Sequence, residues 1–194
     1  MPSFTEEIKN EITRMQIDDR CCMLAVISAF IRTSGSVVSR GGQFGFEITS
    51  ENEGTAEFIV DMLENTFGLH PTVSGAKFDV LSGRDKLTFE SIGADAQALL
   101  NELCIVREDK EGMMLSFGID NKLVENDCCK AAFIKGAFLG GGSCTLPDER
   151  VYSPTGYHFE IVFSNKITAG DFCNLLCDFE ILAMLVARMD RAVV

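Results

Sequence analysis

The stretch that decides the fold is residues 128–143, which read CCKAAFIKGAFLGGGS. An earlier stretch, residues 21–36, reads CCMLAVISAFIRTSGS, and six of the sixteen positions are identical at an offset of 107. Each stretch is largely apolar, follows Asp or Asn residues suited to a helix N-cap, and ends at a Gly-Ser step. The sequence therefore predicts two copies of one helix within an internal repeat.

A second match extends the repeat beyond the helix. Residues 46–48 and residues 159–161 both read Phe-Glu-Ile, and in each copy alternating strand-like segments precede an amphipathic helical segment. Two further strands follow in the first copy, around a turn predicted at 82–85. In the second copy one further strand and a turn at 189–191 follow, and the chain ends where a fourth strand should begin. We therefore predict an α+β fold of two pseudo-symmetric αββαββα repeats with antiparallel sheets.

The repeat suggests how the chain is divided. Residues 1–18 are expected to form an N-terminal helix, where Ser3 and Glu6 fit a capping box. Residues 19–104 form the first repeat, residues 105–125 a linker, and residues 126–194 the second repeat. By internal analogy the second repeat lacks the rest of its fourth strand and its closing helix, which predicts that the chain is a piece of a longer protein.

Small side chains recur at every fourth position of both repeated helices. Residues four apart lie on one helix face, so such a stripe lets two helix backbones approach closely. A flexible glycine-rich loop at 140–142 is the alternative, but it leaves the stripe of the first copy unexplained. The residues predicted to form this helix–helix interface are Ala25, Ala29, Thr33, Ala132, Gly136 and Gly140.

Composition and charge narrow the function classes. The chain has 194 residues and a net charge of −12, of which residues 1–125 carry −10. It has no signal-peptide pattern and no apolar run long enough for a membrane span, so a cytoplasmic protein without membrane contact is expected. Its eight cysteines contain no Cys-x-x-Cys spacing, so we expect reduced, mostly buried thiols, with no metal site and no cofactor.

The segment 134–143 (IKGAFLGGGS) resembles a degenerate LAGLIDADG motif. That family places two such helices at the molecule's centre, between sheets that form a DNA-facing saddle. The Cys-Cys doublets and the segment 157–161 (YHFEI) are more narrowly similar to the N-terminal domain of the WhiA family of bacterial cell-division and sporulation regulators. The resemblance covers most of the chain.

The LAGLIDADG resemblance also implies where catalytic acids would lie. Enzymes of that family have an acidic residue just before the final motif glycine, and the matching positions here are Ser34 and Gly141. Cleavage needs a divalent metal held by carboxylates, which neither residue supplies. We therefore expect no catalytic residues and no enzyme activity. Glu47 and Glu160 occupy equivalent repeat positions; we favour solvated or ion-paired charges there over a metal pair.

The resemblance implies a regulator that binds DNA. WhiA-like proteins carry a helix-turn-helix after this domain, so DNA is expected to bind mainly there, in a region absent from this chain, and other regulatory proteins are further candidate partners. An active homing endonuclease and a protein- or ligand-binding module remain the alternatives. The acidic charge opposes strong DNA binding by this chain itself. Candidate DNA-facing residues are Arg40, Lys77, Arg84, Lys86, Arg188 and Arg191.

Overall fold

A computed structural model describes residues 3–79, 84–109, 112–146, 157–188 and 191–194. Two four-stranded antiparallel sheets flank a central pair of helices, which confirms the predicted α+β class and the repeated arrangement. Within the described residues no helix has both the length and the apolar character needed to cross a membrane.

The two repeats use the same order of elements. The N-terminal helix and first repeat comprise α1 (Phe4–Thr13), α2 (Arg20–Ser34), β1 (Gly35–Arg40), β2 (Gln43–Ser50), α3 (Glu53–Phe67), β3 (Thr72–Asp79), β4 (Arg84–Ile92) and α4 (Ala94–Glu102). A hairpin follows, of β5 (Val106–Asp109) and β6 (Gly112–Leu115). The second repeat comprises α5 (Asp127–Gly141), β7 (Gly142–Thr145), β8 (His158–Phe163), α6 (Lys166–Cys177), β9 (Val186–Arg188) and β10 (Arg191–Val193).

The sheets are related strand for strand. Their orders are β1-β2-β4-β3 and β7-β8-β10-β9, with antiparallel pairing throughout. Ser36 pairs with Glu47 in the first sheet, and Ser143 pairs with Glu160 in the second. The repeated sequence thus reaches the same register in both copies.

The helices α2 and α5 pack along their length at the centre of the core. Ala25 and Ala29 are fully buried, and Ala132 is 4% exposed. A Cβ added to Gly136 would collide with the backbone of Val26, and one added to Gly140 would collide with Thr33. Gly136, Gly140 and Thr33 therefore lie in this contact, and Val26, absent from the predicted set, supplies the surface that faces Gly136.

Two predicted turns were wrong in part. Arg84 belongs to β4, where it pairs with Asp79, and Arg191 belongs to β10, where it pairs with Arg188. Strand pairing continues further toward each hairpin end than turn-forming side chains suggested, because every added pair satisfies backbone groups. Residues 80–83 and 189–190, at the hairpin tips, lie outside the described part of the chain.

The N-terminal helix joins the two repeats. Ser3 and Glu6 form the predicted capping box. The hydroxyl of Thr5 donates to the carbonyl of Cys144 and accepts from its N–H, both at 2.9 Å, while α1 also packs on α3. This helix therefore fixes one wall of the space at the carboxyl ends of α2 and α5.

Candidate functional site at the carboxyl ends of the central helices

The helix ends at which a LAGLIDADG enzyme would hold its acids carry hydroxyl groups and glycines. Thr33 Oγ1 donates to the carbonyls of Ala29 and Phe30 at 3.0 Å, and Ser34 Oγ donates to the carbonyl of Phe30 at 3.0 Å. Both hydroxyls are bound back to their own helix. Neither carries the negative charge that a hard divalent cation requires.

In the second helix the backbone itself excludes an acid. A Cβ added to Gly141 would collide with the carbonyl oxygen of Val162, and it would also lie 3.2 Å from Thr33 Cβ. Any side chain at this position, Asp included, therefore requires β8 to move away from α5. Position 141 therefore carries no acid, and the packing of β8 against α5 leaves no room for one.

A cleft of about 440 Å³ lies over these helix ends. Ser34 and Gly141 line it, together with residues from α1, the end of β2 and strands β4, β8 and β10. Three basic side chains reach it, accompanied by two acids: Lys9, Lys86, Arg191, Glu6 and Glu51. Lys9, which the sequence did not indicate, arrives because α1 packs across the start of the second sheet.

The six basic residues predicted to face DNA do not form one group. Lys86 and Arg191 line the cleft, one from each sheet. Arg40 instead pairs with Glu90 at 3.0 Å and with Glu47 at 3.7 Å. Lys77 is exposed on β3 opposite Lys86. Arg84 is the first residue of β4, and Arg188 is the last residue of β9.

The two equivalent glutamates have separate partners. Glu47 pairs with Arg40, and Glu160 lies 3.0 Å from His158 Nε2 and 3.5 Å from Ser143 Oγ. Among the described residues, neither belongs to a group of side chains that converges as a metal site would. Charge pairing on the sheet surface is the role that the geometry supports.

The cysteines depart from the expectation that they are mostly buried. Cys22 and Cys129 are buried, whereas Cys21, Cys128 and Cys177 are exposed. The sulfurs of Cys21, Cys22 and Cys129 converge. Cys-x-x-Cys spacing does not reveal this group, because its members come from both repeats. The signal was present in the two Cys-Cys doublets, 107 residues apart at equivalent helix positions.

Burial and neighbouring thiols raise the pKa values of Cys22 and Cys129. Burial, followed by hydrogen bonds with Cys128 and Cys129, raises the pKa of Cys22 far above its usual value. Burial and a hydrogen bond with Cys21 raise the pKa of Cys129 to about 11. Such thiols are poor nucleophiles at neutral pH, since reactivity requires the thiolate.

Comparison with known families agrees with this architecture. A family model described as the WhiA N-terminal LAGLIDADG-like domain matches residues 20–106, and one described as the WhiA LAGLIDADG-like domain matches residues 130–194. A Clostridium botulinum protein named "Probable cell division protein WhiA" is 29% identical over 193 residues, which are 99% of this chain and 59% of that protein. The chain thus spans less than two thirds of that relative.

Solved structures share the fold. Full-length DUF199/WhiA from Thermotoga maritima aligns with a TM-score of 0.66 and 19% identity, over 99% of this chain and 56% of that one. The homing endonuclease I-WcaI, solved on its DNA recognition sequence, aligns with a TM-score of 0.50 and 12% identity over 95% of this chain and 85% of that one. At these identities the likeness concerns the fold alone.

Proposed function

Because the chain belongs to the WhiA family, we propose that it is the non-catalytic LAGLIDADG-like domain of a DNA-binding transcription regulator that acts in bacterial cell division and sporulation. A relative named as a probable cell division protein supports the process. The fold that the chain shares with a DNA-bound homing endonuclease supports DNA as the partner.

The absence of catalysis rests on the helix ends. Ser34 is bound to its own helix and Gly141 has no room for a side chain, so the two positions cannot present paired carboxylates to a metal. Without such a pair, the water and the scissile phosphate lack the cation that would activate them. This observation carries the proposal that the scaffold binds without cutting.

In this proposal the domain makes weak DNA contacts that assist binding by another region of the full-length protein. Lys9, Lys86 and Arg191 line the cleft that we propose faces DNA, and the acidic Glu6 and Glu51 line it as well. The net charge of −12 opposes approach to phosphates. Most of the DNA affinity comes from a helix-turn-helix elsewhere in the full-length protein. The full-length protein works in the cytoplasm, and it contacts other regulatory proteins through this domain.

The experiment uses the full-length protein and sheared genomic DNA. We expect retained fragments to be enriched in DNA upstream of genes, and to stay uncut when Mg²⁺ is added. A parallel sample in chelator provides the control for metal-dependent cutting. Site-specific nicking with Mg²⁺ contradicts the non-catalytic assignment, and retention without any sequence enrichment contradicts the regulatory one.

A further inference from the structure

The Cys-Cys doublets occupy the same place in both central helices. Cys21 and Cys22 are the second and third residues of α2, and Cys128 and Cys129 are the second and third residues of α5. The helices run in the same direction, since Cys22 meets Cys129 near one end and Thr33 meets Gly140 near the other. The doublets therefore converge at the amino ends, about 18 Å along the helix pair from the cleft.

The distances between the sulfurs suit one shared cation. Cys22 Sγ lies 3.9 Å from Cys129 Sγ, and these two sulfurs and that of Cys21 all lie within 4.8 Å of one another. A tetrahedral zinc ion holds sulfurs at about 2.3 Å, which places them about 3.8 Å apart. A fourth sulfur belongs to Cys128, the residue next to Cys129 in α5.

The amino ends of α2 and α5 favour the thiolate form of the cysteines once a cation is bound. Two helix amino ends, each with a positive partial charge, meet at the cluster. The N-cap side chains of Asp19 and Asn126 make no capping hydrogen bond, so they do not occupy the first-turn amides of either helix. Those amides are donors that thiolate ligands can use.

The distances between the sulfurs favour a cation site over a disulfide. A disulfide requires sulfurs about 2.05 Å apart, and it would join only two of the four cysteines. A cation can share several sulfurs at once, and three of them already lie within 4.8 Å of one another. On binding, the thiols release their protons to solvent, and the cation offsets part of the negative charge of the thiolates that form.

We propose that the two doublets form a binding site for one thiophilic divalent cation of the zinc class, on the pseudo-twofold axis between the repeats. The sulfurs of Cys21, Cys22 and Cys129 already converge. In this proposal Cys128 supplies the fourth ligand. The cation ties the amino ends of α2 and α5 together. It is structural in kind, because four protein ligands leave no open position for a substrate.

The first test is a titration of the reduced, metal-free protein with Co²⁺ under anaerobic conditions. We expect saturation at one equivalent, with the visible bands of tetrahedral cobalt, sulfur-to-cobalt charge transfer in the near ultraviolet, and loss of both on adding Zn²⁺. Mg²⁺ should not displace Co²⁺ from the site, since Mg²⁺ prefers oxygen ligands. Failure to saturate at one equivalent, or a spectrum without charge-transfer bands, overturns the proposal.

The second test uses variants that keep the core intact. Cys21→Ser with Cys128→Ser removes only exposed sulfurs, so folding is preserved. We expect Zn²⁺ affinity to fall by more than the roughly 10–100-fold seen when only an outer-shell partner is lost. Cys177→Ser, also exposed but on α6, is the matched control and should bind as the parent does.

A thermal measurement makes the structural role testable. Zn²⁺ should raise the melting temperature of the parent and of Cys177→Ser, but not that of the double variant. Equal Zn²⁺ affinity in the double variant and the parent overturns the proposal. So does an equal thermal shift in both proteins.

Discussion

Gly136 shows how a residue that weakens an isolated helix can stabilise a pair. A glycine in a helix interior costs about 1 kcal/mol relative to alanine. Here the absent Cβ lets the backbone of α5 lie against that of Val26, at a distance no other residue permits. Close contact along buried helix faces offsets the intrinsic cost.

The first prediction compares two glycines in helices. Gly136→Ala should destabilise the protein by about 1–3 kcal/mol, because the new methyl group forces the helices apart. Gly170→Ala, in α6 where nothing lies within 4 Å of the new Cβ, should stabilise it by roughly 0.5–1 kcal/mol. Urea unfolding measures both, and equal effects would contradict the close approach.

The second prediction concerns the vacant acid positions. Gly141→Asp should destabilise the fold more than Ser34→Asp, because only the former meets a strand carbonyl. The double variant should not nick supercoiled DNA in Mg²⁺, since the two carboxylates cannot be seated together. Recovery of Mg²⁺-dependent nicking would show that substitution of the acids is all that separates this domain from an enzyme.

At the scale of elements, a buried arginine ties α2 to the segment between the repeats. Arg32 is 7% exposed and donates to the carbonyls of Ser116 and Cys104, both at 3.0 Å. Burial lowers the pKa of Arg32 to about 10. Thr168 Oγ1 in α6 donates to the carbonyl of Phe117, so the same segment is fastened to the second repeat.

The third prediction removes this tie. Arg32→Met should destabilise the fold by roughly 2–3 kcal/mol, because it leaves two partly buried carbonyls without a charged donor. Arg20→Met removes the same charge from the exposed pair with Glu102 and should cost less than about 1 kcal/mol. Chemical denaturation distinguishes the two, and similar losses would show that Arg32 acts only through net charge.

For the whole molecule, charge and shape have opposing effects on DNA binding. The two sheets and α1 bring basic side chains to one cleft, while the chain as a whole is strongly acidic. Phosphate contacts release counterions, so their number sets the salt dependence of binding. A domain with few such contacts should bind weakly and should show a shallow salt slope.

The fourth prediction follows from the small number of phosphate contacts expected for this domain. In fluorescence anisotropy with duplex DNA, this chain should bind no tighter than the nonspecific range of about 10⁻⁴–10⁻⁶ M. Lys86→Ala with Arg191→Ala should flatten its salt slope by roughly 2. Arg14→Ala with Lys122→Ala, which do not line the cleft, is the control of equal charge. Equal slopes in the two variants would remove the cleft from the DNA-binding surface.

The repeats differ where their packing partners differ. Phe46 is fully buried, and α4 packs on its strand. Its counterpart Phe159 is 54% exposed and stacks on Phe138, since the described part of the second repeat holds no equivalent of α4. The Phe-Glu-Ile repeat predicted equivalent strands, but it could not predict unequal burial, which depends on the element laid over each strand.

The sequence by itself determined the order of the elements and the repeat, because both are recorded along the chain as periodicity and as a match at an offset of 107 residues. The family followed from the resemblance of residues 128–143 and 157–161 to known motifs. The sequence also identified Ser34 and Gly141 as positions without acids. Only the tertiary structure decided that Lys86 and Arg191 share a cleft while Arg40 pairs with Glu90, and that cysteines from two repeats converge. Such groupings depend on how distant segments pack in three dimensions, which spacing along one segment does not record.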